Sequence, residues 1–283
     1  MSYDSFEISN YDSAPTNLYE FSIGYSFWRY AAGEEDVTIA GFEFVDGVLT
    51  PAQVTYKAVP ISDSGLVQSG DTQNDDFTVT LPANVTFASL YLATPPSQTV
   101  YLTCRRKQRE DNEAPVVWVG EVRSTKRSSV IELQVICKVL TATLNRNGLR
   151  LAWGRGCPHA LYDRNCTVDP DDFGIAINVQ GLTGASITSS GLASLPAGYL
   201  SGGYFEFDQL PGVKERRMIE SHSGSVLNVL GTTDGLEVSD WITVFPGCDR
   251  VSSTCNSKFN NLSNYGGFSH MPGKSPFDGD PVF

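Results

Sequence analysis

Short stretches of alternating apolar and polar residues, turn clusters of Gly, Pro, Asn and Asp between them, and few windows with helical period predict a mainly β protein. The expected architecture is an N-terminal β-barrel or sandwich plus a second small β-domain inserted between two cysteine pairs. The pairs are Cys157 with Cys166 and Cys248 with Cys255, which have eight and six residues between their members. With 283 residues, 41% of them hydrophobic, the chain has enough apolar material for one large core or two. The expected division is an N-terminal domain over 1–150 and a cysteine-bearing region over 151–283, with its inserted β-domain at about 167–247.

In the first region the predicted strands are Leu18–Ile23, Trp28–Tyr30, Asp36–Ile39, Phe77–Leu81, Val100–Cys104 and Val116–Val122. Two more strand-like runs follow, Val130–Cys137 and Val139–Leu144. Turn-forming residues at Pro60–Gly65 and Gly70–Asp76 separate the early strands. Between the cysteine pairs a second β region runs through Phe173–Val179, Gly203–Phe207, Glu215–Ser221, Ser225–Leu230 and Trp241–Phe245. Ala193–Leu200 reads as a short helix after Ser189-Ser190-Gly191. The tail from Phe259 to Gly273 is rich in Asn, Gly and aromatic residues without a period, which predicts a segment ordered by docking over whatever the cysteines hold.

Each cysteine pair sits where the backbone can wrap around a ligand: Trp153-Gly154-Arg155-Gly156 precedes Cys157-Pro158, and Pro246-Gly247 precedes Cys248. Thiolates are soft ligands, and four of them suit zinc or an iron-sulfur cluster. Zinc knuckles and ribbons place roughly two to four residues between paired cysteines, so these longer spacings favour a bulkier cluster. Zinc, disulfides and free thiols stay open at this point. A metal centre here would staple the stem of the insertion and close a long loop. Cys104 and Cys137 fall inside apolar strands and are expected to pack as small hydrophobes.

Other features carry weaker chemistry. His159 lies two residues after Cys157, which would allow a cysteine nucleophile with a histidine base, but a peptidase also needs a third group to orient that base. His159 is therefore read as a loop residue near the cysteine site, and His222 and His270 as surface or interface residues. Arg105-Arg106-Lys107-Gln108-Arg109 is followed at once by Glu110-Asp111, which suggests a solvated hairpin tip or a contact with a neighbouring subunit. Gly154-Arg155-Gly156 lacks the strand, helix and third glycine of a dinucleotide fingerprint. The carboxylate pairs Glu34-Glu35, Asp75-Asp76 and Asp171-Asp172 are adjacent in loops, not facing one another as glycosidase acids do. The reading is non-enzymatic, with a cell-wall-active cysteine peptidase as the alternative from another class.

The net charge of −12 argues against binding nucleic acid by phosphate neutralisation, although an acidic conduit could let DNA slide past. Neither a basic, apolar leader nor a run of about eighteen apolar residues is found, so folding in the cytoplasm is expected, where thiols stay reduced.

Several stretches together resemble the tail-tip hub proteins of long-tailed bacteriophages and gene transfer agents, a family that includes the minor tail protein L of phage lambda. They are Leu18-Tyr19-Glu20-Phe21 with Trp28-Arg29-Tyr30 and Asp36-Val37-Thr38, Asp76-Phe77-Thr78-Val79-Thr80-Leu81-Pro82, Trp118-Val119-Gly120-Glu121-Val122, and Gly247-Cys248 through Cys255 into Phe259-Asn260-Asn261 and Asn264–Phe268. The resemblance implies a 4Fe-4S cluster held by Cys157, Cys166, Cys248 and Cys255, with zinc as the alternative metal. It also implies a tail-tube-like N-terminal barrel and a homotrimer at the virion tail tip, assembled in the host cytoplasm. That trimer would join the tail tube and distal tail protein to the central fibre complex, with DNA only as passing cargo and part of the acidic surplus lining the bore. The long insertion departs from the lambda protein and is similar to that of gene-transfer-agent hubs.

Overall fold

In a computed structural model the described residues are 8, 14–45, 48–67, 76–92, 94–108, 113–145, 148, 151–210 and 212–272. The turn residues 70–75, Arg109 with Glu110 and Asp111, and Gly273 lie outside them. The protein is mainly β and forms two compact units, Met1–Arg146 with Asp208–Glu215, and Asn147–Phe207 with Arg216–Phe283.

The first unit carries β1 (Pro15–Ile23), β2 (Ser26–Ala32), β3 (Val37–Val45), β4 (Val48–Val59), β5 (Ser62–Asp63), β6 (Asp76–Pro82), β7 (Tyr101–Gln108), β8 (Val116–Arg127) and β9 (Glu132–Val139). They pair in the order β3-β4-β2-β1-β7-β8-β9-β6-β5. β1 is central and buried on both faces: Tyr19, Phe21 and Ile23 enter one apolar cluster, while Leu18 enters another with Ala31, Ile39, Val54 and Tyr56. That two-sided burial follows from the period of two along a strand. Phe21 stacks on Phe87 at 4.1 Å between ring centres, and Cys104 and Cys137 are buried in the same cluster. Burial pushes both thiols up, as for inert core cysteines.

Several expectations change here. The run after Val139 is a 3-10 turn, Leu140–Asn145, not a strand. β4 was not foreseen, and β3 runs to Val45, beyond the expected Ile39. Arg105, Arg106 and Lys107 lie within β7 instead of at a hairpin tip, and Gln108 is fully buried, where its Oε1 accepts from the Ala14 N–H at 3.0 Å.

Between the cysteine pairs come β10 (Ile175–Asn178), β11 (Gly181–Thr183), β12 (Ser186–Thr188), β13 (Tyr204–Leu210), β14 (Val213–Ser223), β15 (Val226–Val229) and β16 (Trp241–Phe245). Their order is β10-β16-β13-β14-β15-β12-β11, around a core that includes Phe205, Ile219, Leu227 and Val244. The tip of the β13–β14 hairpin, Asp208–Glu215, belongs to the first unit, where Val213 joins the core and Glu215 accepts from Ser97 N–H and Oγ–H at 2.9 and 3.0 Å. The expected helix at Ala193–Leu200 is instead a 3-10 turn, Ser190–Leu192, followed by turns. One α-helix, α1 (Ser252–Phe259), stands among the described residues, where the sequence reading placed a cysteine-bearing loop and no helix. No helix is long and apolar enough to cross a membrane among the described residues.

Candidate metal centre

The first cysteine loop is organised by Asp163. Its Oδ1 accepts the N–H groups of Asn165 at 2.8 Å and Cys166 at 2.6 Å, and its Oδ2 accepts Ala160 N–H at 3.2 Å. These bonds, the Cys166 N–H foremost, hold the carboxyl below its ordinary value. They shape a turn in which Tyr162 and Thr167 take positive φ, at 67° and 61°. Tyr162 donates its hydroxyl to the Pro246 carbonyl at 3.1 Å and sets its ring edge-on to Tyr204, Phe245 and Phe259.

The second loop leaves β16 through Pro246-Gly247. A Cβ on Gly247 would lie 2.2 Å from the Ser201 carbonyl oxygen, so glycine is required for this close approach. Asp249 then orders the entry to α1: its Oδ1 accepts Val251 N–H at 2.9 Å and its Oδ2 the Thr254 hydroxyl at 2.8 Å. Cys255 faces inward on the helix and is buried. The helix closes at Asn260, in the left-handed region with φ 47°.

The two loops meet. Cys157 N–H donates to the Arg250 carbonyl at 3.0 Å, and Arg250 N–H donates to Cys248 Sγ at 3.3 Å. The four cysteines line one cavity of about 160 Å³ together with His159, Phe259 and Asn261. Burial raises the Cys248 and Cys255 thiols, and the other thiols of the cavity push them further in the same direction. Four thiolates in one small space repel unless a cationic centre sits among them. Among the described residues no three His, Cys, Asp or Glu side chains group tightly enough for a single metal ion.

The segment after α1 lies across both loops. Asn261 donates Nδ2 to the Cys166 carbonyl, and Cys255 Sγ donates to the Asn261 carbonyl at 3.3 Å. Asn264 bridges to Asn261 Oδ1 at 2.6 Å and Thr167 Oγ1 at 2.8 Å, and the Tyr265 hydroxyl reaches the Arg155 carbonyl at 2.8 Å. Lys258, one turn after Cys255, donates Nζ to the carbonyls of Tyr199 and Gly247. The sequence reading missed Lys258, Asn261 and Asp163; Asp163 alone carried a signal, an acceptor followed two and three residues later by the amides it binds.

The structure brings together all four predicted cysteines and His159. His222, expected at the surface or an interface, is buried in β14, and His270 is exposed. His159 Nδ1 is buried without a hydrogen-bond partner among the described residues, so none of them donates or accepts there as the third group of a peptidase would.

A family model described as phage conserved hypothetical protein BR0599 matches residues 198–275, which include Cys248, Cys255 and α1. An uncharacterized protein of Xylella fastidiosa (strain 9a5c) is 22% identical over 185 residues, 60% of this chain and 36% of that protein's length. The chain thus spans about a third of that relative. Among solved structures, a chain from the virion of a native gene transfer agent particle shares the fold with a TM-score of 0.75, at 17% identity, over 99% of this chain and 95% of that one.

Proposed function

We propose that the protein is a structural component of a tailed phage or gene transfer agent virion, working as the homotrimeric tail-tip hub. In this role it joins the tail tube and distal tail protein to the central fibre complex, and DNA passes it as cargo. The observation that carries the reading is the fold shared along 99% of the chain with a chain of a gene transfer agent virion. The phage family match over residues 198–275 supports it at the cysteine end. In such an assembly interfaces set by symmetry, and not a pocket, do the work.

Cys157, Cys166, Cys248 and Cys255 would hold a 4Fe-4S cluster. What supports such a group is the donor set: four cysteine side chains line one cavity of about 160 Å³, and soft thiolates are the ligands an iron-sulfur cluster takes. Arg250 N–H donating to Cys248 Sγ is the kind of bond that supports a thiolate ligand. When bound, the cluster supplies a rigid cross-link between the two cysteine loops. The residues around it do the remainder: Asp163 and Asp249 shape the loops, and Asn261 and Lys258 tie α1 to both of them.

Two measurements test this. Protein purified without oxygen should absorb broadly near the violet and contain iron and sulfide at about four each per chain. One zinc per chain without sulfide would replace the cluster with zinc, and no metal would remove the staple. Gold labelling of the chain in purified particles should mark the tail tip; label absent from particles, or on the head, would overturn the hub.

A further inference from the structure

His159 sits in the same cavity as the four thiols. Its Nδ1 is buried and has no hydrogen-bond partner among the described residues. A buried imidazole nitrogen left in that state is costly, which makes Nδ1 a candidate contact for whatever the thiols hold. The polar candidate nearest in charge, the Asp163 carboxylate, is already occupied at both oxygens by the amides of Ala160, Asn165 and Cys166.

The orientation of the ring is set from behind. A Cβ on Gly266 would come within 2.3 Å of Nε2 and 2.9 Å of both Cδ2 and Cε1, so the ring stands end-on to that glycine with Nδ1 on the far side. The segment carrying Gly266 cannot move away easily: Tyr265 donates its hydroxyl to the carbonyls of Arg155 and Arg250, and Phe268 N–H donates to the Gly154 carbonyl at 2.9 Å. The imidazole is therefore clamped beside the thiols by a backbone that has no room for a side chain.

We infer that His159 is the hydrogen-bond donor to the thiol-held group, with Nδ1–H directed at a sulfur of the cluster or of a cysteine ligand. This rests on the cluster reading above. A donor aimed at cluster sulfur stabilises the reduced form, which carries more negative charge, and so raises the reduction potential. His159 thus sets the electronic state of a centre that otherwise acts as a staple.

The test is a spectroelectrochemical titration of the anaerobically reconstituted full chain, with iron and sulfide counted in each sample. His159→Phe keeps a ring and loses the donor; it should retain the cluster and show a lower midpoint potential. His159→Gln, which keeps an N–H, should lie nearer the wild type. A loaded Phe variant with an unchanged potential overturns the inference and leaves the cluster standing, whereas a wild type without iron and sulfide overturns both. If the Phe variant does not load, the Gln variant decides. Loading with a near wild-type potential supports the donor, and failure of both variants to load overturns it, because His159 would then be needed to build the site.

Discussion

Gly247 shows how little space separates the second cysteine loop from its surroundings, since a methyl group there would meet the Ser201 carbonyl oxygen at 2.2 Å. Gly247→Ala should cost about 1–3 kcal/mol in chemical denaturation, the usual range for forcing atoms into a filled site. In the first unit the corresponding point is Phe21, fully buried and stacked on Phe87. Phe21→Ala should lower stability by about 3–5 kcal/mol, read from the same denaturation curves. Residue by residue, the legible positions were those with chemistry of their own: four cysteines in glycine- and proline-marked loops, and the core cysteines 104 and 137. His222 was not legible because of a β-bulge. In β14 Val213, Glu215, Arg217 and Ile219 point inward, but the register shifts between Ile219 and Ser221, so His222 turns inward where strict alternation would have turned it out.

Elements were legible where alternation was strong. β6 and β9 bury every second residue, and both were anticipated. β4 does alternate over Ala52–Ala58, with Val54 and Tyr56 buried and Gln53, Thr55 and Lys57 exposed, so its signal was present in the sequence, and only Pro51 in its first half argued against a strand. α1 escaped notice because its serines, threonine and asparagine favour caps and turns, and only Cys255 and Phe259, four residues apart, are buried. Its place is fixed by tertiary bonds, and Lys258 makes two of them. Lys258→Met should destabilise the second unit by about 1.5–3 kcal/mol, the range for hydrogen bonds from a charged group, measured by thermal or chemical unfolding. The loop between Cys157 and Cys166 has its own control. The folded Asp163 carboxyl is held below its ordinary value, so its stabilisation is complete above about 3.9 and is lost as pH falls through the lower folded value. Amide protection at Cys166 should therefore drop in acid below that point, and Asp163→Ala, which removes the acceptor, should show weak protection at every pH.

At the scale of the whole molecule, each unit has buried clusters of its own, two in the first and one in the second, so perturbing the cysteine site should register in one unit before the other. Cys248→Ser is expected to lower the melting transition of the second unit first, which calorimetry would resolve as a shift of the earlier of two transitions. The two-sheet architecture could be anticipated from the spacing of strands and turns, but the order of pairing could not, because register and neighbour depend on which buried faces meet. The placement of Asp208–Glu215 was equally hidden, since nothing in a hairpin sequence tells which core its tip will join. That placement makes the N-terminal unit a non-contiguous piece of polypeptide. A fragment ending at Arg146 would leave the Val213 position in its core open and the Ser97 hydrogen bonds without their acceptor. Fragment complementation follows from this: the isolated 1–146 chain should be weakly folded, and a synthetic peptide spanning residues 204–223 should rescue it when added in trans.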